Sequence, residues 1–247
     1  MPAHNENLAA EKTFRAEIAA LFFALTFPSL LTWVYFILLA DRNPALQQAV
    51  YSIGKGIQFG VPIAWVWLVR RESLGWPKPR RDGVLLGGLL GAVIVLVTLV
   101  VYRLGMKPAG VFDTAGELIR QRVTSAGIDS VAKYAGLAVF YSVCHSLLEE
   151  YYWRWFLFAR LRSLVPLPAA IVISSLGFMA HHVIVLSHYF GWGSSLSLFT
   201  SLSVAVGGAV WAWLYHHSRS LYGPWLSHCL VDAGIFLIGY DLLRPQW

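Results

Sequence analysis

Runs of about 20 predominantly apolar residues recur along the 247-residue chain, each closed by a short stretch carrying Lys, Arg, Pro or Gly. In helical form a run of that length rises about 1.5 Å per residue and spans a bilayer core about 30 Å thick. The chain is therefore predicted to be all-α, a polytopic transmembrane helical bundle of about seven to eight helices. Composition agrees: 57% of residues are hydrophobic and only 13% are charged, against about a quarter charged in ordinary soluble domains, and the mean hydropathy is +0.59. A disordered chain, a secreted disulfide-rich scaffold and an ordinary cytosolic enzyme are excluded. One membrane domain is expected over residues 1–247, with variable N-terminal spans in 1–130 and a motif-bearing core in 131–243.

The expected spans run from about Ile18 to Ala40, Ala49 to Val69, Gly83 to Tyr102, Val131 to Leu161, Pro166 to Tyr189, Ser195 to His216 and Leu221 to Leu243. Asp41, Arg42, Asn43 and Pro44 read as a turn, and Pro62 is expected to kink the second span. Arg70, Arg71, Lys78, Arg80 and Arg81, with Gly75 and Pro77, form a charged loop. Gly87 and Gly91, and earlier Gly56 and Gly60, have the small-xxx-small spacing that lets helices approach closely. Between the third and fourth spans, Phe112 to Val123 suits a short amphipathic helix at the interface. The 11 Trp and 11 Tyr read mainly as interface belts and packing. Cys144 and Cys229 lie in apolar segments and are expected to be buried, with no disulfide framework. No removable signal peptide is expected, since Glu6, Glu11 and Lys12 interrupt the first 16 residues.

The formal charge of +6 would suggest nucleic acid if it formed one solvated patch, but the basic residues punctuate hydrophobic spans. They read as topology signals, so the expected surroundings are the lipid bilayer and no nucleic acid. A cytoplasmic N-terminus puts ten on the inner side: Lys12, Arg15, the five of the charged loop, Arg160, Arg162 and Arg219. Seven face outward: Arg42, Arg103, Lys107, Arg120, Arg122, Lys133 and Arg244. The expectation is an integral multi-pass protein of the plasma or inner membrane.

Ionisable groups inside a span cost at least about 2.5 kcal/mol each on insertion scales, so they mark function. They concentrate in the second half: His145, Glu149, Glu150 and Arg154, then His181, His182 and His188, then His228 and Asp232. Glu150 and Arg154 are i, i+4 and can neutralise each other, which reads equally as a helix-stabilising pair. Glu149 is turned about 100° from Glu150 and shares a face with His145, leaving a carboxylate without an intrahelical cation. His228 and Asp232 again share a face. From the expected cytoplasmic ends, Glu149 lies about 18 Å deep, His182 about 24 Å, His228 about 10 Å and Asp232 about 16 Å. One water-filled chamber could collect them. His145, His181 and His188 are expected in interhelical or interfacial roles. There is no Gly-x-Ser-x-Gly elbow, no paired Asp and no His-Glu-x-x-His helix. What remains is a carboxylate that takes a proton from water, with imidazoles that orient the water or donate to an oxyanion.

Glu149, Glu150, Tyr151, Tyr152, Trp153, Arg154 resemble the Glu-Glu-x-x-x-Arg signature of the CPBP membrane proteins, related to the type II CAAX prenyl endopeptidases. Phe178 to His182 is similar to the second motif, Phe-x-x-x-His, and His228 to Asp232 to the third, with Asp232 where better-known members carry Asn. The resemblance implies a metal-independent intramembrane glutamate endopeptidase without cofactor, of CAAX-protease or bacteriocin-processing type, acting on a peptide or protein. In it Glu149 is the general base on a water held by His182, chosen over His181 by its spacing from Phe178. His228 and Asp232 line the oxyanion site, and Glu150 and Arg154 fix the helix. The alternatives are a non-proteolytic scaffold or bacteriocin-immunity protein, and a proton-coupled transporter using the same acids.

Overall fold

The computed structural model describes residues 2–75 and 78–243. Pro77 and Arg244, used above as loop and flank signals, lie outside the described residues. Among the described residues seven helices are long and apolar enough to cross a membrane: α1 (Glu11–Leu38), α2 (Pro44–Val69), α3 (Arg81–Met106), α5 (Val131–Leu164), α6 (Leu167–Phe190), α7 (Ser195–Ser218) and α8 (Tyr222–Leu243). The eighth, α4 (Asp113–Ser125), is the short helix expected between the third and fourth spans. The protein is an all-helical, multi-pass membrane protein.

Helix boundaries move where capping chemistry outweighs hydropathy. Asn43, read as part of a turn, is the N-cap of α2, its side chain accepting from Ala45 N at 2.8 Å and Leu46 N at 3.4 Å. Pro44 follows at the first helical position, where its missing N–H costs nothing. Pro62 leaves α2 continuous, and the helix widens into a π-turn over Trp65–Val69 just beyond it.

The outward faces are apolar, as a lipid environment requires: Leu85, Leu89 and Leu96 of α3 are each more than 60% exposed. The opposite face of α3 is a glycine ridge laid against α8. A Cβ on Gly91 would stand 2.9 Å from Ser227 Cα, and one on Gly87 would run into the Gly223 backbone. That pair does what its spacing predicts. Gly56 and Gly60 do not, because neither has another element within 4 Å of the space a Cβ would occupy. Small-xxx-small spacing permits close approach only where a second helix is present. Gly54 supplies the contact on α2, where a Cβ would lie 2.9 Å from Leu31 Cδ2. The cysteines also depart from expectation: Cys144 is exposed on the outside of α5 and Cys229 is half-buried.

Polar networks close both ends of the bundle. At one end Glu17 of α1 pairs with Arg160 of α5 at 3.4 Å, and Glu72 of the α2–α3 loop pairs with Arg160 at 2.6 Å and Arg70 at 3.1 Å. At the other, Asp241 of α8 binds Lys107, accepts from Tyr102 Oη at 2.7 Å, and lies 3.5 Å from Arg103. The helix α4 docks at this second end, with Phe112 edge-on to Tyr102 and Phe190 and Arg122 bonded to Tyr35 of α1. Tyr152, Trp153, Phe156, Phe178 and Trp211 form a buried aromatic centre between α5, α6 and α7, and the polar cluster rests on it.

Candidate active site

Within α5 a single ordinary α-helical turn, Ser146–Glu150, is bracketed by π-helical segments over Phe140–His145 and Tyr151–Phe158. Wide turns of this kind recur at functional sites because they rotate side chains out of the regular register. This turn carries both glutamates.

Glu150 is fully buried and turned toward α7 and α8. Its Oε1 lies 2.9 Å from Arg154 Nη1 and accepts from His228 Nδ1 at 2.8 Å. The Arg154 guanidinium lies over the rings of Phe178, at 4.8 Å, and Trp211, at 5.2 Å, and donates to Gly208 O at 3.3 Å. Removing one partner from such a buried pair typically costs 3–5 kcal/mol. The pairing expected within the helix is present and extends across it: Glu150 fixes His228, whose ring also stacks on Trp211 at 3.9 Å, 15° from parallel.

Held in this way, His228 turns its Nε2 toward Glu149 Oε2, at 3.6 Å. His145 Nδ1 approaches the same oxygen at 3.9 Å from one turn earlier on α5, and His181 Nε2 approaches Oε1 at 3.7 Å from α6. Ligand atoms of Glu149, His181 and His182 all lie within 4.8 Å of one another. Glu149 is 4% exposed, so imidazoles from three helices surround a carboxylate shut away from bulk solvent. Separations of 3.6–3.9 Å are too long for direct hydrogen bonds, so Glu149 is surrounded by these rings without being bonded to them. Asp232 Oδ1 lies 3.6 Å from His228 Nε2, so all four residues picked from the motifs gather in one place.

Two histidines set aside from the spacing join them. His181 is i+3 from Phe178 and His182 is i+4; both positions neighbour Phe178 on a helix surface, so that spacing cannot choose between them. His182 turns its Nδ1 back onto Phe178 O at 2.9 Å, while His181 stacks on Trp153, 7° from parallel, with its Nε2 toward Glu149. His145 belongs to the ring for the reason its i, i+4 relation to Glu149 supplied. Lys55 of α2 was not among the residues singled out from the sequence. It interacts electrostatically with Glu149, His145 and His181. A lone cation midway along a span was the signal available.

Fold and site together define a polytopic helical membrane protein with a buried carboxylate–imidazole cluster. Residues 132–234 match the model of the Rce1-like family, described as type II CAAX prenyl endopeptidase Rce1-like, and the match covers the segment that carries Glu149, His182, His228 and Asp232. No curated protein and no solved structure gives a significant match to the chain.

Proposed function

We propose that the protein is an intramembrane glutamate endopeptidase that hydrolyses a peptide bond by general-base activation of water. The observation that carries this reading is the buried Glu149 carboxylate with imidazole nitrogens of His145, His181 and His228 at 3.6–3.9 Å, inside a segment of Rce1-like sequence. Glu149 takes a proton from a water oriented by His182 or His181. The hydroxide adds to the scissile carbonyl carbon, and the resulting oxyanion accepts a hydrogen bond from His228. The Glu149 carboxylic acid then delivers its proton to the leaving nitrogen as the C–N bond breaks. Asp232 lies beside the same Nε2 of His228 and lines the oxyanion site with it, and Glu150 with Arg154 positions that ring through Nδ1. Similarity to the type II CAAX prenyl endopeptidases makes a prenylated CAAX peptide the first substrate to assay, with small membrane-active peptides such as bacteriocin precursors second. The positive-inside bias and the Glu17–Arg160–Glu72–Arg70 network, which joins the start of α1 to the basic loop, support a cytoplasmic N-terminus.

Purified protein in detergent is expected to cleave such a peptide, and Glu149→Gln to lower kcat by at least about a thousandfold, as loss of a general base combined with a lost water site predicts. Its thermal unfolding should stay close to that of the parent. Undiminished turnover in that variant sinks the proposal in favour of a non-proteolytic scaffold or a transporter. A carboxylate and two imidazoles within 4.8 Å also make a donor set for a divalent cation. On the metal-independent reading proposed here activity is expected to survive exhaustive chelation, and a loss restored by zinc would move the mechanism to a metalloenzyme.

A further inference from the structure

Lys55 is a charged residue near this cluster to which the proposed hydrolysis assigns no step. It lies 11 residues from the start of α2 at Pro44 and 14 from its end at Val69, near mid-membrane, where an ammonium is among the costliest groups to place. The face of α2 that carries it is fixed by its neighbours one turn either way. Tyr51 packs on Tyr35 of α1 with ring centroids 4.5 Å apart, and Phe59 meets Tyr152 of α5 edge-on at 6.1 Å. The Phe59 carbonyl accepts from Tyr151 Oη at 3.1 Å, two residues beyond Glu149. Between them the Lys55 Nζ sits 5.4 Å from the centroids of both the Tyr51 and Phe59 rings. Among the described residues no carboxylate oxygen lies within ion-pair distance of it, although Glu149, Arg154, Arg160 and Asp241 all have such partners. The titratable groups whose charges act on it or feel it are Glu149 and His145 of α5 and His181 of α6.

An aromatic-walled ammonium beside a hydrolytic centre, without a bonded anion, is arranged to receive one. We infer that Lys55 binds a carboxylate carried by the peptide substrate, holding the chain so that its scissile bond lies over Glu149. The anion is either the chain terminus of the leaving fragment or an acidic side chain near the bond. This inference rests on the peptidase reading, and it makes Lys55 a specificity-determining residue rather than part of the proton transfers. A neutral peptide would leave the ammonium buried beneath it and bind correspondingly worse.

The test is a double cycle on the full-length protein in detergent, with a cleavable peptide made in three forms: free terminal carboxylate, terminal amide, and acidic side chains replaced by their amides. Wild type is expected to lose roughly ten- to a hundredfold in kcat/KM, mainly through KM, on whichever amidation removes the recognised anion, as a charged hydrogen bond predicts. Lys55→Met should lose a similar factor on the parent peptide and almost nothing further on that amide, while Lys55→Arg recovers most of the binding. The arm that shows the loss names the source of the carboxylate. Equal cleavage of all three peptides by wild type overturns the inference and leaves the peptidase standing. So does a Lys55→Met defect of the same size on every peptide with a displaced pH profile of kcat, which would make Lys55 a counter-ion for Glu149. Failure of wild type to cut any peptide overturns the peptidase reading itself.

Discussion

Arg154 shows how much of the site depends on one buried charge. Its guanidinium is 2% exposed and balances Glu150, which in turn orients His228 toward Glu149. Arg154→Met should lower stability by about 3–5 kcal/mol, since it strands a carboxylate in the aromatic centre. Thermal unfolding in detergent measures this, and Glu150→Gln/Arg154→Met together should recover part of the loss. Lys at position 154 should rescue poorly, because a point charge cannot spread over the rings of Phe178 and Trp211 as the planar guanidinium does. The Glu150–Arg154 and Glu149–His145 relations were legible from sequence because they are fixed by spacing along one helix. The approach of His181 to Glu149, and of Lys55 to the cluster, depends on how three helices are rotated about their own axes. No spacing within one helix carries that angle.

At the scale of helices, apolar run length located every span, and errors fell where local chemistry competes with it. Asn43 extends α2 by its cap, and Gly56 and Gly60 carry a packing signal on a face that meets no partner. The two glycine pairs make a controlled comparison. Gly87→Val puts side-chain atoms into the Gly223 backbone and forces α3 away from α8, the helix that carries His228 and Asp232. Such overpacking typically costs 1–3 kcal/mol. It should reduce both thermal stability and cleavage, whereas Gly56→Val, with open space around it, should leave both near the parent value. Equal effects at the two positions would show that the α3–α8 ridge is not what sets the position of α8.

For the molecule as a whole, the polar networks at the two ends tie together helices that are distant in sequence. Partial burial works to raise the Glu72 carboxyl, but the Arg160 and Arg70 guanidiniums overcome it and hold the group below its usual value of 4.5. A carboxyl lowered on folding stabilises the native state above that usual value, and the contribution fades as pH falls through the lowered one. The stability difference between wild type and Glu72→Gln should therefore be full near neutral pH and shrink progressively below 4.5, as unfolding curves across that range would record. A difference that grew on acidification would contradict the pairing.

The rings around Glu149 come from α5, α6 and α8, and the α8 ring is seated by Glu150 and Trp211. During synthesis α8 is the last of the described helices to enter the bilayer, so a nascent or truncated chain lacks the histidine on which the cluster closes. The cluster can therefore close only once the whole set of described helices is in place.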